Sequence, residues 1–413
     1  MKEVIKSLFS DKWIIFIIIL SAVVRFSAVF YLQEYKNPES WEFGEIADNL
    51  IKGNGFSWTN FNSIPLQPTS IQAPFYPYLL AFFLKYIPNP YLALEIIQIL
   101  ISIIAGLFLF LSAGEIFNKT IGYASFTFYS LHPTFIYIPT QFLPLCIYLM
   151  QLGIGIYLLM KINKKSKITL LIYYGINSGI ALLTDPIFII FIISSGIYWV
   201  FILYNKKVEL IKILLITFGV TFLTIFPWSL RNYKVHHQFV FVKSNFGYNL
   251  WRGNHFNATG TGRLPDGSDI DLTTSEELAK KLILPEYLIE IKRDNLFREE
   301  GWNFIKSNPI YFSKLAVKKF YYFWWFDPTH PKAKNIIFKL SYIVILLPGL
   351  AGIYLSRKEW KRFSIFYLHF LLLSIIYSIT IVLPRYHMQI DYILIIFGCY
   401  FFHYIYKTIS KKK

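Results

Sequence analysis

Charge is what this sequence has least of. Of its 413 residues only 16% are Asp, Glu, Lys or Arg, against roughly 25% in an ordinary soluble chain, and that shortfall excludes a soluble globular enzyme. Only two cysteines are present, Cys146 and Cys399, both inside apolar runs, which excludes a disulfide framework and a Cys-rich metal site. His236 and His237 are adjacent and diverge on any regular backbone, and no HxxxH or HExxH spacing accompanies them, so no metal site is read.

What is abundant is apolar and aromatic surface: 55% hydrophobic residues, 40 Phe and 30 Tyr, with a mean hydropathy of +0.45. Apolar runs of spanning length lie at about 13–32, 91–113, 121–140, 142–160, 168–184, 187–204, 210–230, 335–355, 363–383 and 390–407. Each is near the roughly 20 residues a bilayer requires. An all-α, polytopic membrane protein of about ten helices is expected.

The net charge of +17 then has a topological explanation. Lys2, Lys6 and Lys12 place the N-terminus in the cytoplasm, and the first span, too long for a signal-peptide core, is retained. Lys161–Lys167, Lys206–Lys212, Arg357–Arg362 and Lys407–Lys413 then all fall inside with it, as the positive-inside rule requires. Nucleic acid is not needed. Residues 75–87, bracketed by prolines, are too short to span and read as a re-entrant or interfacial helix, because counting them would invert every later loop.

This topology divides the chain into 1–230, a transmembrane module with a first outer loop at 33–90; 231–334, an extracytoplasmic segment with an interfacial helix; and 335–413, the C-terminal spans. Chemistry is expected on the outer face. In the first outer loop Glu39, Glu42 and Glu45 cluster at the start of a short helix capped by Ser40 and ended by Gly53. Either these acids complement the helix N-terminus and face water, or partial desolvation fits one of them to act as a general base. The second segment carries Arg231, Lys234, Lys243 and Arg252 among aromatics. They form either a snorkelling basic belt or a phosphate site, for which the arginine fork is suited. Lys314 and Lys318 share a face of an amphipathic stretch, Arg25 and Asp185 sit late in or just beyond spans, and Arg385 and His387 occupy a tight turn before the last one. Arg25 either snorkels outward or faces protein.

Read in order, Glu42-Phe43-Gly44-Glu45, Gly53-Asn54-Gly55-Phe56-Ser57, Pro68-Thr69, Ala73-Pro74, Gly179–Thr184, Pro227-Trp228-Ser229-Leu230-Arg231-Asn232-Tyr233, Gly253-Asn254 and Pro384-Arg385-Tyr386 resemble the membrane glycosyltransferases of family 39. That group includes protein O-mannosyltransferases and the aminoarabinose lipid A transferase. The resemblance runs along most of the chain. It implies a GT-C fold, a sugar donor carried on polyprenyl phosphate, membrane lipids as surroundings, and transfer to an extracytoplasmic acceptor at the outer face of the plasma membrane. It further implies an acidic base in the first outer loop. Glu42 fits the subgroup with Glu before an aromatic-Gly pair and is favoured; Glu39 fits the position of the more widespread Asp. Arg231, Arg252, Arg385 and the weaker Lys318 are the expected donor-phosphate contacts. Glu45, Asn254, His387 and Asp185 are expected at the acceptor or sugar, and the need for a divalent metal stays open. Where many relatives carry an acid at the outer end of the third or fourth span, this chain has Gln141, and the soluble C-terminal domain of the protein mannosyltransferases is missing. The rival readings are a transporter or flippase of a lipid-linked saccharide and a family member without activity.

Overall fold

The computed structural model describes residues 8, 10–59, 65–264, 267, 268, 270 and 276–411; Lys2, Lys6, Lys412 and Lys413 lie outside them. The long helices are α1 (Lys12–Leu32), α4 (Pro90–Ile116), α7 (Leu145–Lys164), α8 (Ile168–Thr184), α9 (Ile189–Leu203), α10 (Lys207–His236), α15 (Ile336–Leu355), α16 (Trp360–Ile379) and α17 (Met388–Ser410). Eight helical stretches are long and apolar enough to cross a membrane, and α8 is a shorter apolar helix beside them. Shorter elements are α2 (Trp41–Ile51), α3 (Phe75–Tyr86), α5 (Lys119–Leu131), α6 (Pro133–Tyr137), α11 (Phe246–Arg252), α12 (Glu276–Leu282), α13 (Glu290–Ser307) and α14 (Pro309–Trp324). One two-residue antiparallel ladder pairs Ser57 with Pro68 and Trp58 with Gln67.

The expected span at 121–140 is not one helix. It divides into α5, α6 and a 3-10 turn at Ile138–Thr140. Proline is the cause: Pro133 and Pro139 cannot donate to the helical ladder, and His132 is forced into extended backbone ahead of Pro133. In lipid the released carbonyls would be costly. Arg25, fully buried, meets them. Its Nη1 donates to Ser130 O at 3.0 Å and Ser21 Oγ at 2.6 Å, its Nη2 to Tyr129 O at 3.5 Å, and its Nε to Ser102 Oγ at 3.1 Å. Arg25 therefore faces protein, with its positive charge set at the C-terminal end of a helix dipole.

The basic loops gather on one face. Lys161 and Lys164 both bind Glu115, at 2.5 and 2.6 Å, and Arg362 donates to Glu115 O and Ile116 O. Lys119 pairs with Asp11 at 2.8 Å. The longer connections meet on the opposite, long-loop face. There α3 both begins and ends: Ser70 before it reaches the 231–334 segment, and Tyr91 just after it meets Phe142 edge to face. At 12 residues, about 18 Å by helical rise, it is shorter than the roughly 30 Å hydrocarbon core of a bilayer.

Helix pairs close through small residues, as in other membrane bundles. A Cβ on Gly352 of α15 would lie 1.9 Å from Phe397 O of α17, whereas one on Gly114 of α4 would meet nothing within 4 Å. Gly352→Ala should therefore lower the unfolding midpoint in detergent, with a loss of about 1–3 kcal/mol, while Gly114→Ala leaves it near wild type. Equal midpoints for the two variants would refute the packing argument.

Candidate active site

Helix α2 opens under strain. Trp41 has a φ of 49°, in the left-handed region that bulky residues avoid, and strain of this kind concentrates at functional sites. Gly44 is required for the same turn, since a Cβ there would lie 2.0 Å from Ser40 Oγ. The turn presents Glu39, exposed, and Glu42, half-buried, and neither carboxylate has a hydrogen-bond partner among the described residues. Glu45 is placed differently. Its Oε1 accepts from Thr59 N at 3.1 Å and from the Thr59 hydroxyl, tying α2 to the residue after the Ser57–Trp58 strand.

Two residues the sequence reading passed over complete this acidic side. Glu34 and Glu39 both act electrostatically on Tyr137 at the end of α6. Glu34 also acts on Glu95 of α4. Glu95 is fully buried and neither of its oxygens has a hydrogen-bond partner; the Tyr35 backbone N–H lies toward it without reaching bonding geometry. Gln141 is held from behind, its backbone carbonyl accepting from Gln98 Nε2 at 3.0 Å.

The basic side lies at the other end of the 137–148 segment. Arg385 is exposed, rests over the Tyr386 ring at 5.8 Å and makes no hydrogen bond among the described residues. Tyr386 stacks on Tyr377 at 4.5 Å. Tyr377 also lies within electrostatic reach of Arg385, Asp185 and Tyr148. Tyr148 donates to Gln389 Oε1 at 2.5 Å, and Asp185 faces Lys243 at 3.8 Å. Arg252 is close by: its Nη2 donates to Gly262 O at 2.9 Å, its Nε is buried without a partner, and Gly262 abuts Leu383. Lys318 is exposed over Tyr322.

Other expected site residues hold the architecture. Both terminal nitrogens of Arg231 are engaged by carbonyls, Nη1 by Thr69 O at 2.6 Å and Nη2 by Phe56 O at 2.9 Å, and its plane lies over Trp228. Beside it Glu290, which the sequence reading did not single out, accepts from Ser70 N at 2.8 Å, Ser244 Oγ at 2.5 Å and the Thr69 hydroxyl. Burial pushes the Glu290 carboxyl up, and those hydrogen bonds and Arg231 pull it back. Asn254 donates to Leu250 O and Ile379 O and accepts from Lys319 Nζ at 2.8 Å. His387 is buried, its Nδ1 2.8 Å from Asp391 Oδ1. No group of three or more metal-ligating side chains occurs among the described residues.

With this geometry in place the comparisons can be read. Residues 71–230 match the family described as dolichyl-phosphate-mannose-protein mannosyltransferase. The apo crystal structure of the oligosaccharyltransferase from Archaeoglobus fulgidus superposes with a TM-score of 0.58 at 13% identity, covering 97% of this chain and 51% of that one. The chain adopts the GT-C fold. The same organism's AglB, in complex with an inhibitory peptide and a dolichol-phosphate, gives 0.54 at 14% identity, covering 98% and 52%. The form tethered to an acceptor peptide with the NVT sequon gives 0.57 at 13%, covering 98% and 51%. This GT-C chain thus spans about half the length of the solved proteins it resembles. No curated protein matches it by sequence. The family matched and the GT-C structures are glycosyltransferases, and the apolar helices make this a multi-pass membrane protein.

Lys319 of α14 gives the site a pH signature. It is fully buried, donates to Asn254 Oδ1 and to the Ile379 and Thr380 carbonyls, and burial lowers it from 10.5 to about 7. The unfolded chain holds this proton to higher pH than the folded one, so stability rises with pH between about 7 and 10. Thermal midpoints across that window should rise less in Lys319→Met than in wild type; parallel curves would refute the assignment.

Proposed function

We propose that this protein transfers a glycosyl group from a polyprenyl-phosphate donor to an extracytoplasmic acceptor hydroxyl. The observation that carries this reading is the separation of charge along the 137–148 segment. Unpaired carboxylates stand at its Tyr137 end, and an exposed, unpaired arginine stands among tyrosines at its Tyr148 end. A lipid-linked donor leaves its tail in the bilayer and brings its sugar–phosphate bond to the level of such a cleft. AglB, which shares the GT-C fold, has been seen with a dolichol-phosphate.

In this mechanism Glu42, with Glu39 as the second candidate, takes the proton of the acceptor hydroxyl. The oxygen attacks the anomeric carbon from the face opposite the phosphate, the sugar–phosphate bond breaks, and the configuration inverts. Polyprenyl phosphate leaves with the bonding electrons. Arg385, seconded by Arg252, stabilises the charge that develops on it. A phosphate leaving group needs no protonation, so one base suffices. Arg231, Asn254 and Glu45 position the loops that carry these groups, and Asp185 with Lys243 lines the sugar side. The active face is extracytoplasmic and the membrane is the plasma membrane, in keeping with the inward placement of the lysine-rich loops.

The test uses purified protein in proteoliposomes with a panel of polyprenyl-phosphate sugars, following release of free polyprenyl phosphate by mass spectrometry. Glu42→Gln should lower kcat by about 10²–10⁴-fold. Arg385→Ala should cost at least about tenfold, with Arg385→Lys between it and wild type. Full turnover in both Glu42→Gln and Glu39→Gln would eliminate the first-loop base. Movement of an intact lipid-linked saccharide across the vesicle, with no donor cleaved, would favour the flippase instead.

A further inference from the structure

Behind the Arg385 turn lies a cavity that the mechanism leaves unused. It is bounded by the break at His132, the end of α14 with the turn that follows, the first turns of α15 and the start of α17. Its walls are aromatic, among them Phe323, Trp325, Phe326 and Tyr342, and among the described side chains no lysine or arginine lines it.

Hydrogen-bond bookkeeping fixes what its polar groups offer. His132 Nε2 lies 2.9 Å from Ser341 O, which can only accept, so Nε2 carries the hydrogen and Nδ1 presents a lone pair. His132 is 5% exposed and that Nδ1 has no partner. His387 Nδ1 lies 2.8 Å from Asp391 Oδ1 and its Nε2 3.3 Å from Tyr342 OH, so both of its ring nitrogens have partners in the wall. Asp327, 6% exposed, uses Oδ1 for the Thr329 backbone and hydroxyl; its other oxygen makes no hydrogen bond among the described residues. Acceptors and two carboxylates thus line a cavity with no lysine or arginine among its described side chains, inside an aromatic cage.

We propose that this cavity binds a primary ammonium group, that of a membrane-lipid headgroup. Three N–H donors on one cation answer the lone pairs of His132 and the carboxylate oxygens, and the ring faces attract the same charge. The location favours a lipid over a soluble amine: the cavity is lined by residues of the first turns of α15 and α17, the ends of two stretches long and apolar enough to cross a membrane, which is the depth of headgroups. The proposal does not depend on glycosyl transfer, since binding is read without any sugar donor.

The test is native mass spectrometry of the full-length protein titrated with phosphatidylethanolamine, its N-acetylated form and phosphatidylcholine. The N-acetyl lipid has no ammonium, and the choline lipid keeps the charge but has no N–H donors. Wild type should retain phosphatidylethanolamine at about tenfold lower concentration than either. Asp327→Asn keeps the Oδ1 that caps the turn, and His132→Phe keeps the ring; each should erase the preference. Equal retention of the three lipids by wild type would overturn the proposal whatever the variants do, and so would a preference that survives in both. Binding of free ethanolamine with no lipid preference would overturn the headgroup assignment.

Discussion

A single buried guanidinium makes the rest of this fold possible. Pro133 and Pro139 break a helix inside a membrane bundle, and a broken helix in hydrocarbon exposes carbonyls that water cannot reach. Arg25 supplies hydrogens to Tyr129 O and Ser130 O, and two serines share its remaining charge-assisted bonds. Without it the carbonyls freed by the prolines at 132–144 would lose their buried charged donor. With it, that chain can turn, end in Tyr137 beside the first-loop acids, and restart as α7 with Tyr148 beside Arg385.

The long-loop face is built on a second knot of the same kind. Glu290 receives Thr69, Ser70 and Ser244, and Arg231 receives Thr69 and Phe56 from the opposite side. Three segments distant in sequence are joined through one buried carboxylate and one half-buried guanidinium. Removing either group leaves the buried donors or acceptors it serves unsatisfied. The two groups specify arrangement, and the candidate site needs arrangement more than strength.

Much of this was legible in the sequence. The apolar runs gave the spans, and the lysine clusters identified the loops that do gather on one face around Glu115. The prolines that bracket 75–87 are matched by a helix of only 12 residues. The broken span was hidden because hydropathy averages over prolines: 121–140 is apolar enough, and only the partner at Arg25 shows that a break there is affordable. At the candidate site, residue type singles out acids and arginines but not which of them are already occupied. Arg231 and Asn254 read as ligand contacts because Arg and Asn near a membrane surface suit that role. The structure instead engages them with backbone carbonyls from residues that the sequence places 125 and 162 positions away. The Glu290 knot and the fully buried Lys319 carry no local signal at all, since a lysine beside the exposed Lys318 looks the same on paper.

The junction between the 231–334 segment and the last two spans bears on how the protein is made. Gly260 O accepts from Val382 N, Thr261 bridges to Val382, Gly253 lies against Thr380 O, and Lys319 is seated on the Ile379 and Thr380 carbonyls. Every one of those partners is synthesised some 60 residues or more after the segment that needs it. During biogenesis the large loop therefore waits, with a buried lysine and a buried asparagine unprovided for, until the outer end of α16 has been delivered.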